Sequence, residues 1–261
     1  MSILADIVRH KRQEVASLKL GQPRAALEAM CKTLAPTRDF EHALTPARGG
    51  ARLIAEVKKA SPSRGVLAAA DFDPVALAVT YARHGADAIS VLTDAKYFQG
   101  SLEVLQRVRA TVDVPLLRKD FTIDEYQLWE ARAAGADAVL LIVSILEAAE
   151  LGALLQAATG LGLHALVEAH TASELDVAMT AGARIVGINN RNLKTFETRI
   201  ETSLELLSLV PAGRLVVSES GFFTADQVRR VAAAGAHAVL VGEALVRAAD
   251  VAAKVRELSL S

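Results

Sequence analysis

Gly85-Ala-Asp-Ala-Ile-Ser-Val-Leu92 opens a pattern that recurs: Gly-Ala followed by a short apolar run appears again at Gly135-Ala136, Gly182-Ala183 and Gly235-Ala236. Successive glycines are 50, 47 and 53 residues apart, and a further apolar run lies inside each interval. Each interval is therefore two strand-plus-helix units long. The count gives eight parallel strands: Leu53 to Lys58, Ala88 to Leu92, Pro115 to Lys119, Ala138 to Val143, His164 to Glu168, Arg184 to Asn189, Arg214 to Glu219 and Ala238 to Val241. Regularity sustained over this length favours a closed α/β architecture, a (β/α)8 TIM barrel, over an open doubly wound sheet. In such a barrel the carboxyl ends of the strands form the reactive face. Four runs end in ionisable groups there: Glu56 and Lys58, Lys119, Glu168, and Glu219.

The 261 residues suit one barrel domain spanning 1–261, with residues 1–50 as a helical extension ahead of the first strand. A net charge of -1, with no dense basic run beyond Arg9 to Arg12, argues against nucleic acid and acidic membrane surfaces as partners. The lone Cys31 cannot close an intrachain disulfide and reads as an ordinary buried, unreactive thiol in a reducing compartment. No apolar stretch approaches the roughly 20 residues needed to cross a bilayer, and Asp6 with Arg9 interrupts any signal-peptide core. A cytoplasmic protein, monomeric or weakly homo-oligomeric, is expected.

Ile3, Leu4, Ile7, Val8, Val15 and Leu18 recur at helical spacing and predict an amphipathic helix outside the repeat. It either plugs one end of the barrel or covers the reactive mouth. Later helix starts carry cap signals: Thr122 with Glu125, Ser144 with Glu147, Thr171 with Glu174, Thr202 with Glu205 and Thr224 with Gln227 match the capping box, and Asp73-Pro74 suits a first turn.

Glu56 and Lys58 share one face of their strand, and desolvation favours the wet mouth over the helix layer for such a pair. A structural salt bridge explains the pair alone equally well. In Leu117-Arg-Lys-Asp-Phe121, Lys119 shares a face with Leu117, while Arg118 and Asp120 take the other. A lysine at the mouth acts as proton donor, as electrostatic clamp or, with a depressed pKa, as a Schiff-base nucleophile. Glu168, two strands further round, supplies a carboxylate to pair with it. Asn189-Asn190-Arg191-Asn192 offers groups to grip hydroxyls or a carboxylate, or is a plain turn. Glu219-Ser220-Gly221 and Val241-Gly242-Glu243 place glycines after the last two strands, where backbone N–H groups suit a phosphate. The six histidines show no paired ligand spacing and no dinucleotide fingerprint follows a strand, so neither metal nor organic cofactor is expected.

Together these residues resemble the indole-3-glycerol phosphate synthase family over nearly the whole chain. The likeness runs through Ile3 to Lys19, Arg38-Asp39-Phe40, Glu56-Val-Lys58 with Ser61-Pro62-Ser63, and Ser90-Val-Leu-Thr93 with Tyr97-Phe98. It continues through Leu117 to Phe121, Leu166-Val-Glu168, Gly187 to Leu193, and Ser218-Glu-Ser-Gly221. The resemblance implies a phosphorylated small-molecule substrate, 1-(2-carboxyphenylamino)-1-deoxyribulose 5-phosphate, and a cofactor-free carboxy-lyase. It implies Lys119 as general acid at the ketone oxygen, Glu168 as base or acid in a later dehydration, and Lys58 near the substrate carboxylate or developing oxyanion. Glu56 and Glu219 would hold the lysines, with Asn189 and Arg191 positioning polar groups. Ser220, Gly221, Gly242 and the Glu243 backbone N–H would receive phosphate. Substrate contacts extend to Ser61, Pro62, Phe98, Phe121 and Leu140, the last four walling the aromatic ring. Glu243 departs from the small hydroxyl residue many relatives carry there.

Three other readings of the same residues stand beside this one. They are a Schiff-base aldolase using Lys119, a phosphoribosylanthranilate isomerase, and a non-catalytic barrel that binds a sugar phosphate. The isomerase family carries a reactive Cys on its first strand, where this chain has Glu56-Val57-Lys58.

Overall fold

Eight parallel strands close on themselves: β1 Arg52–Val57, β2 Ala88–Leu92, β3 Leu116–Lys119, β4 Ala138–Ile142, β5 His164–Ala169, β6 Ile185–Asn189, β7 Leu215–Glu219 and β8 Ala238–Val241. Each pairs with its sequence neighbours, and β8 returns to β1 with Ile54 opposite Leu240. The structure is a computed structural model describing residues 3–46, 50–68, 72–192 and 195–260. Residues 1–2 and 47–49 of the predicted extension, Ser261, and Leu193 at the end of the Gly187-to-Leu193 motif lie outside the described residues.

Among the described residues, three helices precede the barrel: α1 Ile3–Gly21, α2 Arg24–Cys31 and α3 Phe40–Ala43. Helix α4 Pro74–Arg83 follows β1, α5 Ala95–Phe98 and α6 Leu102–Arg109 follow β2, and α7 Glu125–Ala133 follows β3. After β4 comes α8 Ala148–Gly160, after β5 α9 Ala172–Thr180, and after β6 α10 Glu201–Leu207. Helix α11 Ala225–Ala233 follows β7, and α12 Glu243–Val246 and α13 Val251–Leu258 follow β8. A small antiparallel hairpin, Ala60–Ser61 against Gly65–Val66, stands between β1 and α4.

Alternation along each strand decides what faces where. Ile54, Ala88, Leu117, Leu140, Leu166, Ile185, Val217 and Leu240 fill the barrel interior as one cluster. Their neighbours Leu53, Ile89, Leu116, Val139, Val167, Val186, Val216 and Val239 pack under the helices. Because side chains alternate with period two, a one-residue slip would exchange these sets, and each buried Leu or Ile is worth roughly 1.5–3 kcal/mol. The same parity carries Glu56, Lys119, Glu168, Asn189 and Glu219 inward at the strands' carboxyl ends.

The Gly-Ala repeat has a physical cause at the helix ends. Gly85, Gly135, Gly182 and Gly235 adopt φ of 113°, 87°, 88° and 109°, which the absence of Cβ permits. The following alanines donate their N–H back to Tyr81, Ala131, Ala178 and Val231 at the ends of α4, α7, α9 and α11. That is the Schellman stop, and each alanine is then buried as the chain turns into β2, β4, β6 and β8.

Several caps fall elsewhere than the sequence predicts. Asp124, not Thr122, caps α7, and the turn is tied instead by buried Gln127, which accepts from Ile123 N–H and donates to the Phe121 carbonyl. Ahead of α8, Val143–Ile145 winds into a single 3-10 turn, so β4 ends at Ile142 and the Glu147–Glu150 pair replaces Ser144. Thr202 sits inside α10, whose cap is Ile200. Thr171 and Thr224 do cap α9 and α11, and Asp73 caps α4 ahead of Pro74.

The extension covers both ends of the barrel. Phe40 and Leu44 join the interior cluster, while the Arg38 guanidinium donates to the carbonyls of Val112 and Val114 just ahead of β3, plugging the amino end. Helix α1 lies across the carboxyl end. Its Lys11, 1 % exposed, sits 2.9 Å from Asp120 and 3.1 Å from Asp94, the residues closing β3 and following β2. Burial opposes the Lys11 charge, but Asp120 and Asp94 outweigh it and hold its pKa above the ordinary lysine value. Arg118, on the outer face, completes this cluster through Asp120 and Glu130. Cys31 is half-buried rather than buried, and burial raises its pKa, away from thiolate chemistry.

Candidate active site

Lys119 Nζ stands at the centre of the mouth, 3.2 Å from Glu168 Oε2 and 3.4 Å from Glu219 Oε2. The three groups come from β3, β5 and β7, so alternate strands deliver them to one level. Beside them, Lys58, one residue beyond β1, reaches back to Glu56 Oε1 at 2.5 Å. Asn189 accepts from the Arg191 N–H and hydrogen-bonds to Glu168.

Two glycines make room for these carboxylates. A Cβ on Gly187 would lie 2.1 Å from Glu219 Oε1, and one on Gly242 would lie 2.5 Å from Glu56 Oε1 and 3.0 Å from Lys58 Nζ. No other residue fits either position without displacing the charged pair beside it.

Burial depresses the Lys119 ammonium, yet Glu168, Glu219 and Glu56 together outweigh it, and the pKa rises above the ordinary value. For Glu168, burial pushes upward while Lys119, His170 and the Asn189 hydrogen bond pull harder downward, so it ionises readily. Glu219 goes the other way. Burial, with Glu168 and Glu56 nearby, pushes it up to about 8 against only partial relief from Lys119. At neutral pH the trio thus holds an ammonium, a carboxylate and a largely protonated carboxyl group, since two carboxylates on one cation resist ionising together. An ammonium of raised pKa donates protons and clamps anions. It does not supply the neutral amine a Schiff base requires.

All sixteen residues singled out from sequence line this one cavity: Glu56, Lys58, Lys119, Glu168, Asn189 and Glu219, with Ser61, Pro62, Phe98, Phe121, Leu140, Arg191, Ser220, Gly221, Gly242 and Glu243. On one side Phe98 and Phe121 stand with ring centroids 6.0 Å apart and tilted by 43°. On the other, Ser220 and Gly221 both take left-handed backbone, φ 69° and 89°, turning the chain sharply away from β7. Three guanidinium groups gather at that rim around Glu243: Arg64 at 3.4 Å, Arg191 at 3.5 Å and Arg247 at 3.2 Å. Together they make that rim basic.

Sequence reasoning misses part of the wall. Ile3, Leu4 and Ile7 of α1 line the cavity, as do Phe196, Phe222 and Phe223. The amphipathic face of α1 is legible, but nothing local says which end of a barrel it meets. His170, like the other histidines, lacks a metal-ligand spacing, yet its Nε2 lies 3.4 Å from Glu168 Oε1. The signal that could have found it is parity, because His170 follows Glu168 by two positions and keeps its face. Among the described residues no cluster of His, Cys, Asp and Glu suits a metal ion, and no helix is long and apolar enough to cross a membrane.

Comparison with known proteins gives a consistent set of matches. Residues 4–258 match the family model described as indole-3-glycerol phosphate synthase. A protein of that name from Roseiflexus sp. (strain RS-1) is 54% identical over 98% of this chain and 98% of its own length. One from Chlorobium luteolum is 50% identical over 94% of this chain and 93% of its own. Among solved structures, 3-hexulose-6-phosphate synthase from Salmonella typhimurium superposes with a TM-score of 0.65 at 16% identity, over 80% of this chain and 97% of that one. At that identity the likeness speaks for the barrel alone.

Proposed function

The chain belongs to the indole-3-glycerol phosphate synthase family, and from that membership we infer the part each residue at the mouth plays. The enzyme is a carboxy-lyase of tryptophan biosynthesis. It closes the ring of 1-(2-carboxyphenylamino)-1-deoxyribulose 5-phosphate, releasing carbon dioxide and water to give indole-3-glycerol phosphate.

The observation that carries the role assignment is Lys119 Nζ held between Glu168 and Glu219 at the floor of a cavity with an aromatic wall and a basic rim. The ring carbon bearing the carboxylate attacks the ketone carbon, forming the new carbon–carbon bond, while the ketone oxygen takes a proton from the Lys119 ammonium. The bond to the carboxylate then breaks, carbon dioxide leaves, and its electron pair restores aromaticity. In the dehydration the hydroxyl so formed departs as water, protonated by Lys119 after its amine has regained a proton from solvent. Glu168 removes a proton from the adjacent skeleton, which closes the indole double bond. Each positioned acid or base is worth roughly 10²–10⁴ in rate.

Lys58, fixed by Glu56, faces the substrate carboxylate or the developing oxyanion. Ser220, Gly221, Gly242 and the Glu243 backbone N–H take the phosphate, Asn189 and Arg191 position the substrate's polar groups, and Phe98, Phe121, Leu140 and Pro62 hold the ring, with Ser61 beside them. The raised pKa of Lys119 speaks against the Schiff-base alternative. A cytoplasmic location goes with this reading, supported by the single cysteine, as does a monomer or weak homo-oligomer.

The test mixes the purified protein with the carboxyphenylamino sugar phosphate and follows the indole chromophore, beside Lys119→Ala and Glu168→Ala. Loss of turnover by about 10²-fold or more is expected in each. Full activity in Lys119→Ala would overturn the assignment.

A further inference from the structure

We propose that His170, its ring held by Glu174, is a positioning residue that keeps Glu168 ionised. This rests on the reading of Glu168 as the acid–base carboxylate.

The geometry is a line of three groups. His170 is the residue between β5 and the Thr171 cap of α9, and its side chain is 12% exposed. Nε2 lies 3.4 Å from Glu168 Oε1, the oxygen opposite the one facing Lys119. Nδ1 lies 3.2 Å from Glu174 Oε2, and that same oxygen accepts the His170 backbone N–H at 2.7 Å. Glu174 therefore does more than serve a helix cap: it fixes the ring and draws the Nδ1 proton to itself. Nε2 is left buried with no hydrogen bond of good geometry, aimed at the reacting carboxylate. A carboxylate, an imidazole and a carboxylate in series hold a ring in one orientation and stabilise its cation.

Charges facing His170 are Glu168 near the end of β5, Glu174 on α9 and Glu219 on β7, with Lys119 on the far side of Glu168. Burial opposes its charge, but Glu174, Glu168 and Glu219 outweigh it, and the pKa is raised. In turnover, Glu168 takes a proton from the substrate skeleton. That proton returns across the 3.2 Å contact on Oε2 to the Lys119 amine, and the imidazolium keeps its charge. Protons balance, because Lys119 gives two and regains one from solvent and one from Glu168, while His170 gives none.

The experiment measures kcat and KM against pH for wild type, His170→Gln, Glu174→Gln and Glu168→Gln, with thermal unfolding as a check on folding. His170→Gln is expected to lower kcat roughly tenfold, with KM changed less than about twofold. Without the cation beside it, Glu168 ionises less readily, so the acidic limb of the kcat profile moves to higher pH by about one unit. Glu174→Gln keeps an acceptor for the backbone N–H yet loses the charge, and is expected to shift the limb in the same direction by less. A lower kcat with an unmoved limb would mark a purely structural role and overturn the proposal, as would wild-type kinetics in His170→Gln. Should His170→Gln fail to fold, Glu174→Gln and the NMR titration of the wild-type His170 ring decide. A ring titrating at or below the free-histidine range, or an unmoved limb in Glu174→Gln, refutes it. If Glu168→Gln itself keeps full activity, the fault lies in the underlying reading of Glu168.

Discussion

Gly187→Ala adds a single methyl group at the point where the barrel interior meets the acid–base cluster. Its Cβ would lie 2.1 Å from Glu219 Oε1 and 3.4 Å from Leu166 Cδ1, so the carboxylate must retreat by roughly an ångström to restore ordinary contact. Glu219 has nowhere to go. It is 1% exposed, and its other oxygen holds Lys119 at 3.4 Å. Overpacking of this kind costs about 1–3 kcal/mol, and misplacing a catalytic group by an ångström costs about 10²-fold in rate. Urea denaturation is expected to show the first loss. Indole formation is expected to show the second as a fall in kcat. Gly182→Ala serves as control: its φ of +88° brings strain of about 1–2 kcal/mol, but its Cβ meets nothing within 4 Å and kcat should hold. A Gly187→Ala enzyme with wild-type unfolding midpoint and kcat would refute the argument that this glycine makes space for Glu219.

Lys11→Met leaves Asp94 and Asp120 buried without their shared cation and is expected to cost about 3–5 kcal/mol in a denaturation measurement; an unchanged midpoint would show that α1 docks by apolar contact alone. Gly242→Ala intrudes on Glu56 and Lys58 beside the basic rim, and a rise in KM of roughly tenfold is expected from steady-state kinetics. Glu219 binds its proton more tightly folded than unfolded, since its pKa rises from 4.5 to about 8. Its contribution to stability is therefore full below about pH 4.5 and is lost as pH climbs to about 8. Relative to Glu219→Gln, the wild type should lose ground over that window in pH-dependent unfolding, and a flat difference would contradict the raised pKa.

Strand identity is legible in the sequence because apolar runs and the Schellman glycines are local signals. Period-two parity pairs Glu56 with Lys58 and Lys119 with Leu117, but which face turns inward is decided only by the closure of the barrel. Capping boxes are less reliable. The Thr122 and Ser144 patterns are present, but Gln127 and the 3-10 turn at Val143–Ile145 settle those turns instead. Long-range packing leaves the least trace. Lys11 sits in the short basic run Arg9 to Arg12, and only the meeting of α1 with Asp94 and Asp120 reveals it as buried. His170 escapes a sequence reading because its partners are one residue of the next helix and one of the strand before it, a pattern with no ligand-like spacing.

The central claim is that Lys119 delivers a proton to the ketone oxygen. A crystal structure of Glu168→Gln holding the carboxyphenylamino sugar phosphate measures it directly. The account predicts Lys119 Nζ within about 2.6–3.2 Å of that oxygen, with the phosphate at Gly221 and Gly242. A ketone oxygen bound by Lys58 instead, with Lys119 still turned toward Glu219 and out of reach, would contradict it.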